Sequence, residues 1–392
     1  MKKGLAMFLA ASLVLSVTAC GSGTTSATTA PAAEEKTEAS KTEETTTAAE
    51  KSSEANAPAS LEGKKIAVVR NLAAGDHTQQ FLDGCVSEGK KFGWTVDTFV
   101  TDGDDAKIQE TVAQVIAKDY DGLIVSHGQL SYSYDMLKPA RDKGMEVVTF
   151  DTMPFKGGDI NGLLLEGVTS TAQNDQALAE LSLGYMMEEF EANGGKYPMK
   201  VLKTFMGPGI PPLDRRNENY TKLEEEGKIQ TLEVIAPSDS ANARGDMTNK
   251  TAAILPKYPE GSVDAIWGCY DELAKGVLQA LNDAGRTDIP MYTIDVSNDD
   301  IQLMVKNPEV WKSTAAVDPK LIGIVDTRLL ALKFLGEETP DYFDLNANNI
   351  LTTQLSGETT MADLGSIIDG WGDAEDPEGA LYSDLIKNLY VE

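Results

Sequence analysis

The folded part of this 392-residue chain is predicted to be an α/β protein with two doubly wound parallel-sheet lobes. From Lys64 onward, short strand-like runs alternate with helical patterns of about ten to fifteen residues, which is typical of parallel sheets covered by helices on both faces. The runs are too numerous for one open sheet. The length of chain after residue 60 also suits two lobes better than one.

The first half of the folded part contains four strand-like runs. They occupy residues 65–69, 95–100, 122–126 and 146–150. A helical pattern near 77–91 follows the first run. After the second run, one helical face carries the apolar residues Ile108, Val112, Val115 and Ile116. Another helix is expected between the third and fourth runs.

The second half repeats this alternation after the segment NGLLLEGV at 161–168. Five further strand-like runs are expected at 200–205, 231–235, 264–268, 291–294 and 312–316. Helical patterns separate these runs. A second sheet covered by helices is the arrangement that buries their apolar faces, so this half predicts the second lobe.

The N-terminus predicts export and anchoring. Residues 1–20, MKKGLAMFLAASLVLSVTAC, place two lysines before a short apolar run and small residues before Cys20. This order is typical of a secretory signal peptide and is too short for a permanent transmembrane helix. VTAC also resembles the lipobox of bacterial lipoproteins, which implies a lipid on Cys20. We therefore expect a lipid-anchored protein at the outer face of the cell membrane.

Residues 21–60 are predicted to be a disordered tether. The segment has no aromatic residue and no Val, Ile or Leu, and it is rich in Thr, Ala, Glu and Ser. Such a composition has almost nothing to bury in a core. The folded domain is therefore expected to span 61–392.

Charge and cysteine content limit the partners of this domain. After residue 60 the chain has 29 basic and 55 acidic residues, an excess that argues against nucleic acid and anionic lipid as partners. Cys85 and Cys269 are too few for a disulfide framework. We expect both to be reduced thiols, in opposite lobes.

Candidate ligand-binding residues lie just after the predicted strands. In open α/β sheets, ligands bind beyond the carboxyl ends of the strands. The polar residues at these points are Asn71, Asp76, His77, His127 and Asp151 in the first half, and Arg216, Tyr270, Asp271 and Asp295 in the second half.

The segment YDELAKGVLQALNDAGRTDIPMYTID at 270–295 resembles the type 1 periplasmic binding proteins that carry sugars such as ribose and galactose to ABC importers. It shares their Asp-Glu helix opening, their Ala-Gly-Arg helix exit and a strand that ends in Asp. The segments DYDGLIVS, ARDKGMEVVTFDT and VDPKLIGIVDTRLLALKFLGE match in order and spacing, so the resemblance covers about residues 62–355.

This resemblance implies a specific organisation and a specific motion. Three hinge segments would join the lobes, and the ligand would be trapped between them by hinge closure. The N-lobe is expected at about 62–158 plus 318–348. The C-lobe is expected at about 159–317 plus 349–392.

The resemblance also assigns roles to individual residues. Asp151, Arg216 and Asp295 stand where the family grips sugar hydroxyls, and Asn71 stands where the family has a polar residue after its first strand. An ionised carboxylate accepts several hydrogen bonds and an arginine donates up to five, so the chemistry fits a hydroxyl-rich ligand.

Some positions depart from the family pattern. The paired aromatic residues at the start of the first helix are replaced near Asp76, His77 and Thr78, and the usual Asn before Asp-Glu is Tyr270. Val317 and Asn242 likewise stand where the family has Gln and an aromatic residue. Trp267 and Tyr270 are candidates to supply the missing aromatic surface from the other lobe.

Other interpretations remain open for several of these residues. Asp151 could simply cap the next segment, and Asp271 could belong only to the acidic first turn of a helix. His77, His127 and Asp151 could form a metal site. No short-spaced ligand pair supports that site, and we expect neither a metal nor another cofactor.

The sequence thus predicts a monomeric solute-binding lipoprotein, not an enzyme, that delivers a sugar or polyol to an ABC permease. A quorum-signal or nucleoside-like ligand is the alternative within binding. A wall-associated glycoside hydrolase, using Asp151 and Asp295 as an acid–base pair, is the alternative of a different class. No nucleophile elbow, P-loop or GxGxxG follows a strand to support an enzyme.

Overall fold

The computed structural model describes residues 61–72, 74–208, 210–238, 242–372, 376 and 379–391. The predicted signal peptide and tether, residues 1–60, lie outside the described residues, as does Cys20. Two six-stranded sheets organise the described part, which confirms the predicted α/β fold with two lobes.

The first sheet forms the core of the first lobe, and all its strands are parallel. Its spatial order is β2-β1-β3-β4-β5-β11. The strands are β1 (Lys65–Arg70), β2 (Thr95–Val100), β3 (Gly122–Ser126), β4 (Glu146–Phe150), β5 (Val168–Gln173) and β11 (Tyr342–Leu345). Ile66 and Val68 face one side of the sheet and Ala67 and Val69 the other, and all four are buried. Two buried faces explain why β1 is apolar from Ile66 to Val69.

Four longer helices cover this sheet. They are α1 (Asp76–Lys91), α2 (Asp105–Ile116), α3 (Leu130–Asp142) and α9 (Pro319–Leu335). α1 and α9 pack closely because Gly84 and Gly323 lie at their contact, where a Cβ on either residue would collide with the backbone of the other helix. On α2, the predicted apolar face is buried through Ile108, Val112 and Val115.

The second sheet forms the core of the second lobe in the order β12-β10-β9-β8-β6-β7. Only β12 is antiparallel to its neighbour. The strands are β6 (Met199–Thr204), β7 (Ile229–Ile235), β8 (Ala265–Gly268), β9 (Met291–Ile294), β10 (Trp311–Ala316) and β12 (Asn348–Leu351). The helices of this lobe are α4 (Asp175–Ala192), α5 (Pro211–Glu225), α6 (Ala243–Ile254), α7 (Asp271–Ala284) and α8 (Asn298–Lys306).

The chain crosses between the sheets at three places. These are after β5, between β10 and α9, and between β11 and β12. The first crossing differs from the expected boundary near residue 158, because β5 pairs with β4 and keeps residues up to Gln173 in the first sheet. The other two crossings lie close to the boundaries expected near 318 and 348.

The C-terminal segment also departs from the expected lobe boundaries. Residues 349–392 were expected in the second lobe, and Met361, Leu364 and Trp371 do pack there. The segment then returns to the first lobe, where the short helix α10 (Asp384–Lys387) packs on α9 and the backbone N–H of Val391 donates to Lys91 O at 2.7 Å. The described part of this C-terminal segment, the tail, is therefore a further connection between the lobes.

Buried charge explains why the tail returns. Glu88 on α1 is fully buried and accepts a hydrogen bond from Arg328 Nε at 2.6 Å. The hydroxyl of Tyr390 donates to the same carboxylate, and Arg328 Nη1 donates to Ala380 O at 2.7 Å. A buried ion pair needs such additional partners to be stable, and the tail supplies them.

The two thiols and the helices of the described part were the subject of separate expectations. Cys85 on α1 and Cys269 after β8 are buried, free and in different lobes, as predicted. No helix within the described ranges has the length and apolar character that spanning a bilayer requires.

Candidate functional site

The strand ends of both sheets meet at a cavity of about 690 Å³ between the lobes. Eight of the nine predicted ligand-binding residues line it. They are Asp76, His77, His127 and Asp151 from the first lobe, and Arg216, Tyr270, Asp271 and Asp295 from the second. The topology therefore brings these side chains together, as expected for residues that follow parallel strands.

Asp151 lines this cavity and lies directly after β4. Its backbone has a φ of 44°, a left-handed conformation uncommon for a residue with a side chain. The side chain is 4% exposed, and its Oδ1 has no hydrogen-bond partner among the described residues. Burial and the negative charge of Asp175 raise the pKa of Asp151 to about 7, although nearby arginines oppose this. An unpartnered buried carboxyl oxygen is costly, and it is suited to a ligand hydroxyl.

Arg216 on α5 is held in place by two carboxylates. Its Nη1 and Nη2 donate to Asp295 at 2.9 and 3.0 Å, and its Nε donates to Asp175 Oδ1 at 2.8 Å. Burial lowers the pKa of Arg216, but the two carboxylates outweigh it, so the net pKa is raised and the guanidinium stays charged. The parallel pair of bonds to Asp295 fixes the plane of the guanidinium at the cavity wall.

Arg215 joins this cluster to the other lobe. Its Nη2 donates to Asp175 Oδ2 at 2.6 Å and lies 3.8 Å from Asp151 Oδ1. Asp175 begins α4, just after the first crossing, and is 1% exposed. The charges Asp151, Arg215, Asp175, Arg216 and Asp295 thus form a continuous chain from one lobe to the other.

The two histidines lie on the first-lobe side and are electrically neutral. His77 Nδ1 lies 2.7 Å from Arg70 Nη2, and burial together with that positive charge lowers the pKa of His77 to about 3. Burial and the charge of Arg70 also lower the pKa of His127. His127 Nδ1 has no partner among the described residues, while Nε2 lies 3.9 Å from Asp151 Oδ2.

The second-lobe wall is built by the start of α7. Tyr270 caps this helix and donates its hydroxyl to the sulfur of Met206. Lys275 lies 3.1 Å from Asp271 and 3.3 Å from Asp300. Burial raises the pKa of Asp271, but the charge of Lys275 and a hydrogen bond with Asp300 together outweigh it, so the net pKa is lowered.

One hydrogen bond joins the two lobes beside the cavity. The backbone N–H of Asn298, the first residue of α8, donates to Asp76 Oδ2 of the first lobe at 3.1 Å. Asp76 therefore lies at the N-terminus of a helix in the opposite lobe, where a negative charge is favourable. Asp76 thus forms a contact between the lobes and also lines the cavity.

Asn71 is the predicted site residue that does not line the cavity. It is 5% exposed, its Oδ1 accepts from Thr101 Oγ1 at 2.6 Å, and its Nδ2 donates to Asp105 and to His127 O. Its polar atoms are thus engaged in holding the loops after β1, β2 and β3 together. Trp267 is also not a cavity residue, because it is fully buried and stacked on Tyr220.

Gln173, Met206 and Asp175 are among the residues of the cavity and its charge cluster that were not predicted. β5, with the sequence VTSTAQ, has no apolar alternation, so the sequence did not mark Gln173 as a strand end. Asp175 looks like an ordinary acidic residue in the first turn of a helix. The two adjacent arginines at 215 and 216 could have indicated that a buried carboxylate lies close to them.

The described residues contain no group of three or more His, Cys, Asp or Glu arranged to hold a metal ion. His77 instead contacts Arg70, and burial together with the charge of that neighbour lowers its pKa. Hydrogen bonding is therefore the chemistry that the histidines offer in this geometry.

The sequence matches the model of the periplasmic binding protein domain over residues 66–338. The chain belongs to the periplasmic binding protein family. A solved structure described as a sugar ABC transporter from Yersinia enterocolitica is 40% identical to this binding protein, with a TM-score of 0.70, and the match covers 83% of this chain and 95% of that one.

More distant relatives also match this chain. The ribose import binding protein of Bacillus subtilis is 23% identical over 244 residues, which cover 62% of this binding protein and 73% of the relative. The 5-methylthioribose transporter solute-binding protein from Thermotoga lettingae is 23% identical, with a TM-score of 0.66, over 83% of this chain and 98% of that one. The family is one of binding proteins, which confirms the prediction that this chain is not an enzyme.

Proposed function

We propose that this protein captures a sugar or polyol between its lobes and delivers it to an ABC importer. The observation that carries the proposal is the cavity between the lobes, where Asp151 presents an unpartnered buried oxygen opposite the Arg216–Asp295 pair. The names of the relatives, which include a sugar ABC transporter and a ribose import binding protein, support a carbohydrate ligand.

The cavity offers the hydrogen-bonding groups that a polyhydroxylated ligand needs. Asp151 and Asp295 can accept hydrogen bonds from hydroxyl groups, and His127 Nδ1 and Gln173 add further polar atoms from the first lobe. Arg216 is already oriented by its bonds to Asp175 and Asp295 before a ligand arrives. Preorganised donors and acceptors reduce the ordering cost of binding.

Capture would proceed by hinge closure. A ligand that contacts Asp151 of the first lobe and Arg216 or Asp295 of the second binds the closed form better than the open form, so it shifts the population toward closure. The three crossings and the tail are the connections about which the lobes would move. The closed monomer would then be the form that the permease recognises.

The anchoring of the protein is a separate part of this proposal. We propose that residues 1–20 are removed as far as Cys20, that Cys20 carries lipid, and that 21–60 tether the domain outside the membrane. Cys20→Ala should move the protein from the membrane fraction to the soluble extracytoplasmic fraction. Unchanged membrane association of this variant would contradict the lipid anchor.

A thermal-shift screen of the purified protein tests the ligand class. The panel contains pentoses, hexoses, polyols and nucleosides, each with and without a chelator. A ligand at a hundred times its dissociation constant adds about 2.7 kcal/mol to the free energy of unfolding, which is readily detected. A chelator-independent shift with a sugar or polyol is expected. A shift with nucleosides only would favour the nucleoside-like alternative, and a shift lost with chelator would indicate a metal.

A further inference from the structure

The cleft continues beyond Asp151 into a second cavity of about 590 Å³. His127, Asp151, Ile210 and Pro212 line both cavities and form the wall between them. Each cavity alone falls in the usual size range of small-molecule sites. The space between the lobes is therefore large enough for a ligand with two parts.

The second cavity is lined mainly by aliphatic side chains and glycine backbone. Leu130, Met153 and Ala172 line it from the first lobe, together with the glycines at 128, 157 and 158, and Pro211 joins Ile210 from the second lobe. Among the described residues that line it there is no Phe, Tyr or Trp. A sugar ring usually needs either an aromatic face or a ring of hydrogen-bonding groups, and an alkyl chain needs neither.

The remaining polar side chains of this cavity are largely engaged with other groups. Gln129 Nε2 donates to Asp105 at 2.7 Å, and Arg215 donates to Asp175. Ser131 lies at the exposed edge. By contrast, the wall shared with the first cavity carries Asp151 Oδ1 and His127 Nδ1, two buried atoms without partners among the described residues.

We propose that the ligand is a sugar or polyol that carries an aliphatic substituent. Its hydroxylated part occupies the first cavity and satisfies Asp151 and His127, and its aliphatic group extends past them into the second cavity, against Leu130 and Met153. This inference rests on the proposed function and deepens it, because it names the class of sugar derivative.

Calorimetric titration of the full-length protein tests the inference. The probes are D-ribose, D-galactose and D-glucose, each as the free sugar, as the butyl glycoside and as the butyl ether of the terminal hydroxyl. One butylated form should bind at least about tenfold more tightly than its parent, because each buried methylene adds to the affinity.

Two substitutions test whether the butyl group binds in the second cavity. Leu130→Ser and Met153→Ser should reduce the gain from the butyl group at least about threefold, since each removes apolar contact area, with the gain measured in each variant against the free sugar in that same variant. Leu163→Ser is the matched control, because Leu163 lies in the same lobe, is 73% exposed and does not line either cavity.

The outcomes separate this inference from the proposed function. Binding of a free sugar with no gain from either butyl group overturns the inference and leaves the proposed function in place. A gain that Leu130→Ser and Met153→Ser do not alter also overturns it. If no free or butylated sugar binds, both the inference and the proposed function are contradicted.

Discussion

Asp175 holds Arg216 in the cavity wall through a bond of 2.8 Å from Arg216 Nε to Asp175 Oδ1, and both side chains are almost completely buried. The other oxygen of Asp175 accepts from Arg215, which reaches toward Asp151 of the opposite lobe. One carboxylate at the first crossing therefore positions both arginines, and it links the cavity to one of the segments that connect the lobes.

Asp175→Ala should destabilise the protein strongly. Removing one partner of a buried ion pair leaves the other charge uncompensated, which costs about 3–5 kcal/mol of unfolding free energy. Urea denaturation measures this value. Glu309→Ala is the matched control, since that carboxylate is 81% exposed, and it should change stability little. A loss below about 1 kcal/mol for Asp175→Ala would show that the cluster does not depend on Asp175.

The raised pKa of Asp151 predicts a pH-dependent stability. Between its ordinary value of 3.8 and about 7, the folded protein keeps a proton on Asp151 that the unfolded chain has lost, so this group makes the unliganded protein less stable as the pH rises. Asp151→Asn cannot lose that proton. Its stability advantage over the unsubstituted protein should therefore grow by about 2 kcal/mol between pH 5 and pH 8.

Urea denaturation of both proteins at the two pH values, without ligand, checks this expectation. Asp142→Asn, which alters an exposed carboxylate of the same lobe, is the control and should show no such growth. An advantage of Asp151→Asn that stays constant with pH would mean that Asp151 is already ionised at pH 5 in the folded protein.

Tyr390→Phe should weaken the attachment of the tail to the first lobe. The tyrosine hydroxyl donates to the buried Glu88 carboxylate, and hydrogen bonds to charged groups contribute about 1.5–3 kcal/mol. Tyr197→Phe is a matched control, because the hydroxyl of Tyr197 donates at 2.7 Å to Glu191 at an exposed site. Equal stabilities of the two variants would indicate that the tail contact does not stabilise the lobe.

Much of the fold could be predicted because apolar runs mark buried parallel strands. β1, β3 and β4 are apolar on both faces, so their positions follow from the sequence directly. β5 was missed because its small hydroxylated residues pack between neighbouring strands without an apolar signature. Its Thr171, for example, donates to the buried Asp326 at 2.6 Å, a partner more than a hundred positions away.

The sequence predicts where the cavity residues lie, but it does not predict which neighbouring side chains they bond to. The rule that ligands bind after parallel strands predicts that Asp151 and Asp295 lie at the same edge, and both line the cavity. It cannot distinguish a side chain that faces the cavity from one that holds the loops together, as Asn71 does. The C-terminal tail returns to the first lobe because it contacts the buried ion pair of Glu88 and Arg328. These two residues are far apart in sequence, so the sequence does not indicate that they pair.

The central claim is that a sugar or polyol binds between the lobes at Asp151. The most direct test is calorimetric titration of the sugar or polyol identified in the screen into the unsubstituted protein and into Asp151→Ala, with Asp142→Ala as the control. Truncating one partner of a buried charged hydrogen bond should weaken binding by about 2–5 kcal/mol for Asp151→Ala alone. A change of less than about twofold in the dissociation constant, well below that range, would contradict the assignment of the ligand site to this cavity.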